Sequence, residues 1–594
     1  VNKERTKIKV NFNSDQTISP SISPIDQPSQ SPSKVPPKSP NTSEGSNELR
    51  KSRRTRCLPF YLASDDIVAF ATSDKFYQED TESLQQAISY KIDECFQIAL
   101  TENTQEPIDL YLPEPKSLKA VLKLPEKLRE KWLKAIKKEI KALIDNKTFA
   151  FEERKPNEKV TPTLLTLIAK PTAQGTLEKL KARIVVRGDI QKSTIHEDPW
   201  SGTVASRTMK LFLATASKLK KMVKQIYFIC AFLQGNVRDR HFVSLPAKYK
   251  KIFSEYSKYF GIPLLLKKGM YGMTLAANFF AEALIEWLKS ENFKQSEIDG
   301  CLFCKYGQDG TWIRLILYVD DMLIIYSNDR TAQNFYNQLS SRFNTHPMAN
   351  AHWFLKHRIH RYQDGSYSLD QFRYAKTVIT RFCPEDAPYG LPTHRNTPAP
   401  PDYIYSIKNK PTTQTETEEI KSRFGNLNFR SAVCSLLYLA LATRPDITFI
   451  ICKLSKACIT PGIKDYEALM WTLGYLQKRP NYGLKFYSNY QSTPVFKLLI
   501  VNKINPTELI PFLDLSWQDC SDTSPSTQGN LCFFNGSLID VNSSMATPVA
   551  MSSAKAEYMS ACTACMTIAH LQMLVYNMMH LGHQDYDFDE KSKT

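Results

Sequence analysis

The sequence predicts an α+β protein that is divided into several domains. Its 594 residues are more than a single hydrophobic core usually accommodates. Hydrophobic residues make up 42% of the chain, as is typical of a globular protein. Strand-like apolar runs alternate with helical patterns from about residue 115 to residue 385. Because both patterns occur within one stretch, we expect helices and sheets to be mixed.

The chain is strongly basic. It contains 77 lysine and arginine residues against 60 aspartate and glutamate residues, so its net charge is +17. A charge of this sign and size favours a polyanionic partner, because phosphates attract it without sequence specificity. A solvated basic surface without a partner is the alternative that charge alone leaves open.

The sequence predicts neither a membrane span nor a disulfide framework. No apolar run reaches the roughly 18 residues that suggest a transmembrane helix. The 13 cysteines are odd in number and scattered, which is typical of reduced thiols in an intracellular protein. The pairs Cys301/Cys304 and Cys562/Cys565 have zinc-ligand spacing but lie far apart, so they do not favour a zinc site. We therefore expect an intracellular protein with no membrane partner.

Composition divides the chain into a linker and a folded part. Residues 1–114 are largely Ser- and Pro-rich or basic, so we expect them to be disordered. From Pro115 to Asn146, apolar residues recur at spacings of three and four, which predicts a helix with a buried stripe. Further patterns predict a basic hairpin at 164–169 and 182–186, a polar linker at 393–418, helices at 429–476, strands at 509–515 and 530–534, and a helix from 554 onward.

Two adjacent aspartates are the most informative chemical feature. Asp320 and Asp321 stand between the apolar runs 315–319 and 322–326. Ionised carboxylates side by side repel each other and lose solvation between buried strands, unless a cation binds them. Phosphoryl transfer by two divalent metals about 4 Å apart uses such carboxylates. The alternative is that the pair is only the turn of a structural hairpin.

A series of short motifs surrounds these aspartates. The blocks are Lys170–Gly188, Gln225–Gly235, Lys267–Met273, Tyr318–Asp321, Trp353–Leu355, Ser368–Gln371, Ser435–Leu439, Thr443–Asp446 and Ser552–Tyr558. In this order they resemble the reverse transcriptase region of a copia-type LTR retrotransposon Pol polyprotein. The resemblance extends from about Trp132 nearly to the end of the chain.

The resemblance implies a right-hand polymerase with a C-terminal α/β RNase H-like domain. Fingers and palm would occupy residues 115–385, a helical thumb or connection region 386–495, and a partial RNase H 496–594. The implied activity is RNA-directed DNA polymerisation, a nucleotidyl transfer that adds dNTPs to a DNA primer on an RNA or DNA template. Mg²⁺, or Mn²⁺ in its place, would bind Asp320 and Asp321, the catalytic pair. An RNA–DNA hybrid would be a further partner, in a cytoplasmic virus-like particle or in the nucleus.

Further site residues are implied by their positions in the family blocks. Lys170, Lys181 and Arg183 lie on the hairpin that would fold over the incoming dNTP, where cations neutralise its triphosphate. An ordinary basic β-surface is the alternative. Phe232 occupies the family's ribose-gate position, where a bulky ring excludes a 2′-hydroxyl, and simple core packing is its alternative.

One family position carries a residue that is unsuited to catalysis. Tyr227 stands where the first palm motif has a metal-binding aspartate, and residues 199–238 contain no acidic residue. A phenol is neutral at pH 7 and is a poor magnesium ligand. Leu275, Lys356 and Cys434 also depart from the family pattern, which has Gln at the first position and Gly at the other two. Together these departures indicate a decayed or repurposed copy.

The C-terminal segment matches an RNase H only in part. Asp514 and Glu557 correspond to two of the carboxylates that hold metals in that fold. Ser516 stands at a further position that is usually acidic. The helix from Ala554 onward could equally be plain core packing.

These observations support two functions. The first is a reverse transcriptase region by descent, whose catalysis is impaired by Tyr227. The second is a non-catalytic remnant of a Pol polyprotein that still binds nucleic acid through its basic surface. Primer extension and salt-dependent binding to a primer–template duplex distinguish the two.

Overall fold

The computed structural model describes most of the chain that follows the predicted linker. The described residues are 114–171, 177–190, 203–390, 392–492, 509–516, 527–545 and 552–583. The disordered linker predicted at 1–114 lies outside them, except for Glu114. Helices and sheets are mixed along the described chain, which confirms the α+β class.

Regular elements follow one another in the predicted alternation. The α-helices are α1 (Leu118–Val121), α2 (Glu126–Asp145), α3 (Ser206–Lys218), α4 (Ala276–Ser290), α5 (Asp329–Arg342), α6 (Phe372–Phe382), α7 (Gln414–Phe424), α8 (Phe429–Ala442), α9 (Thr448–Ser455), α10 (Ile463–Lys478) and α11 (Ser553–His580). The strands are β1 (Phe149–Ala150), β2 (Val160–Pro171), β3 (Leu177–Val186), β4 (Lys224–Tyr227), β5 (Phe242–Ser244), β6 (Pro263–Leu266), β7 (Lys294–Gln295), β8 (Leu302–Tyr306), β9 (Trp312–Tyr318), β10 (Asp321–Tyr326), β11 (Ala349–Asn350), β12 (Trp353–Phe354), β13 (His357–Arg361), β14 (Tyr367–Asp370), β15 (Gly483–Phe486), β16 (Leu509–Ser516), β17 (Thr527–Phe534) and β18 (Ser537–Met545).

A six-stranded antiparallel sheet lies at the centre of the largest hydrophobic core. Its strand order is β11-β4-β10-β9-β8-β7. The two central strands bury every side chain from Ile313 to Leu317 and from Met322 to Tyr326. Apart from Arg314, these stretches are apolar without alternation, as is typical of strands that are covered on both faces. Helices α3, α4 and α5 contribute their apolar side chains to the same core.

A five-stranded sheet is formed by earlier segments of the chain. Its order is β1-β6-β5-β2-β3, and the predicted basic hairpin is the antiparallel pair β2–β3. Helix α2 packs against this hairpin. Its buried stripe consists of Trp132, Ile136, Ile140 and Leu143, all members of the periodic pattern. The predicted amphipathic helix is therefore confirmed.

A four-stranded sheet and a cluster of helices follow. The sheet order is β12-β13-β14-β15, so residues 483–486 return to a sheet that began at residue 353. Helices α6, α8, α9 and α10 share a second hydrophobic core. The polar segment 393–418, predicted as a linker, contains the start of α7. Thr413 and Glu416 form a reciprocal capping box there, which is the local signal that begins the helix.

The C-terminal segments form a three-stranded antiparallel sheet in the order β16-β17-β18, with α11 packed on it. This sheet is joined to the central core through α3. The Nε atom of Arg207 on α3 donates to the Oδ1 atom of Asp540 on β18 at 2.7 Å. Phe534 and Leu574 belong to the same hydrophobic core as the six-stranded sheet.

Helix α11 departs from one expectation. The sequence predicted no membrane-spanning segment, but Ala554–His580 is long and apolar enough to cross a membrane by length and composition. In this structure its C-terminal half is packed against protein. The side chains of Leu571, Leu574 and Met578 are at most 1% exposed.

The β17–β18 turn provides a test of this fold. Asn535 and Gly536 form the two-residue turn with φ angles of 49° and 70°, as such hairpins require. The Nδ2 atom of Asn535 also donates to the backbone oxygen of Tyr487 at 2.9 Å. Asn535→Ala should destabilise the hairpin by about 2 kcal/mol, because alanine resists positive φ and the carbonyl loses its donor.

Hydrogen exchange followed by mass spectrometry measures this effect locally. Protection of β17 and β18 should fall by about 30-fold in the Asn535→Ala variant. Asn535→Gly adopts the turn conformation freely and loses only the hydrogen bond, so its protection should fall by less. Equal protection in the alanine variant and the unmodified protein would contradict this account of the turn.

Candidate functional site

The two predicted catalytic aspartates lie at the tight hairpin between β9 and β10. Asp321 pairs with Tyr318 at the end of the ladder, so Val319 and Asp320 are the two loop residues. Val319 has a φ angle of 50°, which β-branched residues adopt only under strain. Strained backbone is common at functional sites. Both carboxylates are partly exposed, directly beyond the buried strands.

Tyr227 lies directly beside this hairpin. It ends β4, where it pairs with Asp321 in antiparallel register. Its hydroxyl donates a hydrogen bond to the Oδ2 atom of Asp320 at 2.8 Å. Desolvation raises the pKa of Tyr227, and the carboxylate of Asp320 raises it further. The phenol is therefore protonated at neutral pH and acts as a donor to Asp320.

Gln225 contacts the second carboxylate. It lies two residues before Tyr227 in β4, so both side chains project from the same face of the strand. The Nε2 atom of Gln225 lies 2.8 Å from each carboxylate oxygen of Asp321 and 2.6 Å from the backbone oxygen of Trp353. Burial raises the pKa of Asp321 to about 7, whereas the hydrogen bond from Gln225 opposes the rise and the charge of Asp320 adds to it.

Arg183, Tyr271 and Phe232 form a chain of contacts near the carboxylates. The guanidinium carbon of Arg183 lies 4.8 Å from the centroid of the Tyr271 ring. The rings of Tyr271 and Phe232 meet edge to face, with centroids 5.1 Å apart. The charge of Arg183 also opposes the rise in the pKa of Tyr227. Two of the predicted nucleotide-binding residues therefore share the surroundings of the aspartate hairpin.

The other predicted site residues are spread over three elements. Lys181 is half-buried on β3, and its charge, like that of Arg183, opposes the burial-driven rise in the pKa of Cys230. Lys170 belongs to β2 and Asp514 to β16, but their side chains lie outside the described residues. Glu557 is on the exposed surface of α11.

Three site residues were not singled out from the sequence. The ring of His346 lies 5.8 Å from that of Tyr227, and its backbone nitrogen donates to the oxygen of Tyr227 at 2.8 Å. Gln225 could have been found, because alternation along a strand places it beside Tyr227. Tyr271 lies in the block Lys267–Met273, which was noted for its resemblance without a role for Tyr271, and His346 comes from a segment that no pattern identified.

The aspartate pair lacks the donor set expected of a two-metal centre. Magnesium prefers several free carboxylate or carbonyl oxygens. Here a phenol donates to Asp320, and an amide donates to both oxygens of Asp321. Within the described ranges, His, Cys, Asp and Glu residues form no group of three that could hold a metal. A pair of magnesium ions therefore does not fit these residues as they are arranged.

Comparison with known proteins relates the region around this site to one family. Residues 146–392 match the reverse transcriptase (RNA-dependent DNA polymerase) family. The chain is 28% identical, over 450 residues, to the retrovirus-related Pol polyprotein from transposon TNT 1-94 of Nicotiana tabacum, covering 75% of this chain and 32% of that protein. It is 27% identical to the corresponding polyprotein from transposon RE1 of Arabidopsis thaliana, covering 76% of this chain and 28% of that protein.

One further relative is a shorter protein. The secreted RxLR effector protein 161 of Plasmopara viticola is 30% identical over 135 residues, which are 23% of this chain and 84% of that protein. The chain spans about a third of the length of the curated Pol polyproteins that it matches. The resemblance inferred from the sequence motifs is confirmed. The chain is similar to Ty/copia-type Pol polyproteins over about three quarters of its length, and residues 146–392 are its reverse transcriptase-like region.

Proposed function

We propose that this chain is a copia-type reverse transcriptase region that binds a primer–template duplex and has lost most of its polymerase activity. Residues 115–385 would form the fingers and palm, and 386–495 the thumb or connection. Residues 496–594 would be a partial RNase H-like domain with Asp514 and Glu557 as its remaining acids. The pairing of β4 with the Asp320–Asp321 hairpin supports this assignment.

A nucleotide-binding role is proposed for the surface beside the hairpin. Arg183 and Lys181 lie on one strand of the β2–β3 hairpin and would neutralise the triphosphate of an incoming dNTP, together with Lys170. Phe232, in edge-to-face contact with Tyr271, would restrict the space at the ribose 2′ position. Arg183 is near Tyr227, as its effect on the pKa of the phenol indicates.

The hydrogen bond from Tyr227 to Asp320 is the observation that carries the proposed loss of activity. The phenol replaces a carboxylate and also occupies one oxygen of the carboxylate beside it. Gln225 occupies both oxygens of Asp321. The site is therefore a hydrogen-bonded polar network, and the loss of one metal ligand commonly costs several powers of ten in rate.

The same network favours the second candidate function, a nucleic-acid-binding region without catalysis. Two neighbouring carboxylates would repel the phosphate backbone of a bound strand. Here Asp321 has a pKa of about 7, because burial disfavours its charged form, and so its negative charge is reduced near neutral pH. The net charge of +17 supports binding of the same partner.

Primer extension tests the loss of activity. The unmodified chain should show little or no extension of a primer on a homopolymer template with Mg²⁺ or Mn²⁺. Tyr227→Asp restores the family carboxylate and removes the phenol, so extension should rise by about 100-fold or more. Tyr227→Phe removes the hydrogen bond without adding a ligand and should stay inactive. Robust extension by the unmodified chain would refute the proposed impairment.

The raised pKa of Asp321 predicts a pH-dependent contribution to stability. Its ordinary value is 3.8 and its folded value about 7, so the folded protein binds more protons than the unfolded chain in this window. The contribution of Asp321 to the free energy of unfolding is therefore present at low pH and declines as the pH rises from about 4 to about 7.

Asp321→Asn should remove this dependence. The free energy of unfolding of the variant, relative to that of the unmodified chain, should rise by about 4 kcal/mol as the pH rises across that window. Urea unfolding in buffers with a chelator, from about pH 4 to about pH 8, measures the difference. A difference that stays constant with pH would show that Asp321 titrates normally.

Salt-dependent binding tests the nucleic-acid partner. Affinity for a primer–template duplex should fall steeply between about 50 and 200 mM salt. Arg183→Ala should weaken binding and reduce the slope of log affinity against log salt by about 1, because one phosphate contact is lost. Arg423→Ala is a matched control, since Arg423 lies on a different element, α7, and is paired with Glu467. Absence of binding at low salt would contradict the proposal.

A further inference from the structure

Helix α11 has one face against the protein and one face in solvent. Ala556, Ala564 and Leu571 lie on the first face and are 0% exposed. The opposite side of the helix carries the exposed side chains of Tyr558, Cys562, Cys565, Met566, Ala569 and Gln572. Tyr558 is 79% exposed and Met566 is 49% exposed. These exposures mean that no other element of the described chain covers this face.

The exposed face of α11 lacks charge along most of its length. From residue 558 to residue 583 the chain contains no Asp, Glu, Lys or Arg. The solvent side of a helix on a globular protein usually carries such residues. Weakly polar surface that is contiguous and exposed is typical of a contact with another molecule. Because the face carries no charge, it offers no complement to a strongly charged partner.

The residues of this face have the spacing of a coiled coil. Tyr558, Cys562, Cys565, Ala569 and Gln572 are separated by four, three, four and three residues. This alternation of three and four is the pattern along which two helices pack against each other. The face therefore fits a second helix that has the same spacing.

A second copy of α11 in antiparallel orientation supplies such a helix. When Cys562 of one copy lies opposite Cys565 of the other, the two-fold axis sets Tyr558 opposite Ala569. A large side chain then meets a small one in both outer layers, as close packing requires. Parallel orientation would set Tyr558 against its own copy and Ala569 against its own copy. Complementarity of size therefore favours the antiparallel pair.

The extent of this contact suits a weak dimer. The two helices would overlap over residues 555–572, which is about 27 Å of helix at about 1.5 Å per residue. With the exposed fractions of Tyr558 and Met566, such a pair would bury on the order of 1,000 Å² in total. This area is at the lower limit for a specific interface, so we expect a dissociation constant on the order of micromolar.

A lipid bilayer fits this helix less well. Ala554–His580 has the length and composition of a membrane span. However, Leu571, Leu574 and Met578 are at most 1% exposed and belong to the central hydrophobic core. Insertion into a bilayer would remove these side chains from that core, whereas pairing with a second copy leaves their contacts in place.

We propose that the exposed face of α11 is a dimerisation surface, on which a second copy of this chain packs its own α11 in antiparallel orientation. Tyr558 and Ala569 form the outer layers of the contact, and Cys562 and Cys565 form the layers beside the two-fold axis. The inference uses none of the residues assigned to the aspartate pair or to the dNTP, and it does not rest on the proposed function.

Sedimentation equilibrium of the full chain in a reducing buffer tests this dimer. Tyr558→Ala and Ala569→Tyr should each weaken dimerisation by about tenfold, because each removes the match of large and small side chains. The double variant again sets a tyrosine opposite an alanine in both outer layers, so its affinity should recover to within about threefold of the unmodified chain. Asn334→Tyr is the matched control, since Asn334 is exposed on α5, and it should leave dimerisation unchanged.

Disulfide formation tests the antiparallel arrangement. Diamide accepts two electrons and two protons when the Cys562 thiol of one copy and the Cys565 thiol of the other join as a disulfide. A mixture of Cys562→Ser and Cys565→Ser chains contains dimers with one such pair. It should therefore give severalfold more linked dimer on a non-reducing gel than either variant alone. A chain with both substitutions measures the background from the other cysteines, and equal yields in all samples would overturn the arrangement.

Salt and lipid distinguish the second copy from other occupants. Two copies with a net charge of +17 each repel one another, so dimerisation should not weaken as salt rises from about 50 to about 500 mM. A chain that stays monomeric up to about 100 μM, or a double variant that dimerises no better than the single ones, would overturn the proposal. Flotation of the chain with phosphatidylcholine vesicles that Ala569→Glu abolishes would assign the face to a membrane and would overturn it as well.

Discussion

The antiparallel pairing of β4 with β10 is the constraint on which the site depends. Its register sets Tyr227 opposite Asp321 and Gln225 opposite Leu323. A shift of one residue would turn the side chains of Tyr227 and Gln225 into the core and bring their apolar neighbours to the surface. The register is fixed beyond the strand as well, because the backbone nitrogen of Phe228 donates to the oxygen of Asp320 at 2.9 Å.

Within this register, one substitution changes the character of the whole site. Aspartate at the position of Tyr227 would place a third carboxylate beside the pair, and a cation would be needed to offset the repulsion. A phenol needs no cation, because its proton satisfies Asp320 directly. The amide of Gln225 plays a similar part for Asp321. Both aspartates therefore accept hydrogen bonds from the protein's own donors, although burial still disfavours the charged form of Asp321.

Local sequence patterns predicted much of the fold, and long-range contacts account for the rest. The buried stripe of α2 and the apolar strands around the aspartates were predicted from the sequence, because the spacing of apolar residues indicates which side chains are buried. The capping box of Thr413 and Glu416 was also present in the sequence but was overlooked in a polar segment. Tyr271, although it lies in the block Lys267–Met273, and His346 reach the site through tertiary packing, which a local pattern does not describe. Lys356 was noted as a departure from a family glycine, and its φ angle of 63° gives the physical reason for glycine there.

Helix α3 contacts two elements that lie far from it in the sequence, β18 and α8. Arg207 is paired with Asp540 of the C-terminal sheet, and the Nζ atom of Lys210, three residues later, donates to the backbone oxygen of Leu441 in α8 at 3.0 Å. Burial lowers the pKa of Lys210 to about 8, and the nearby Asp540 carboxylate opposes that shift. Loss of Asp540 would leave two cations in a poorly solvated interface. A substitution in the C-terminal sheet that removes Asp540 would therefore destabilise the neighbouring elements. This holds whatever chemistry the sheet itself performs.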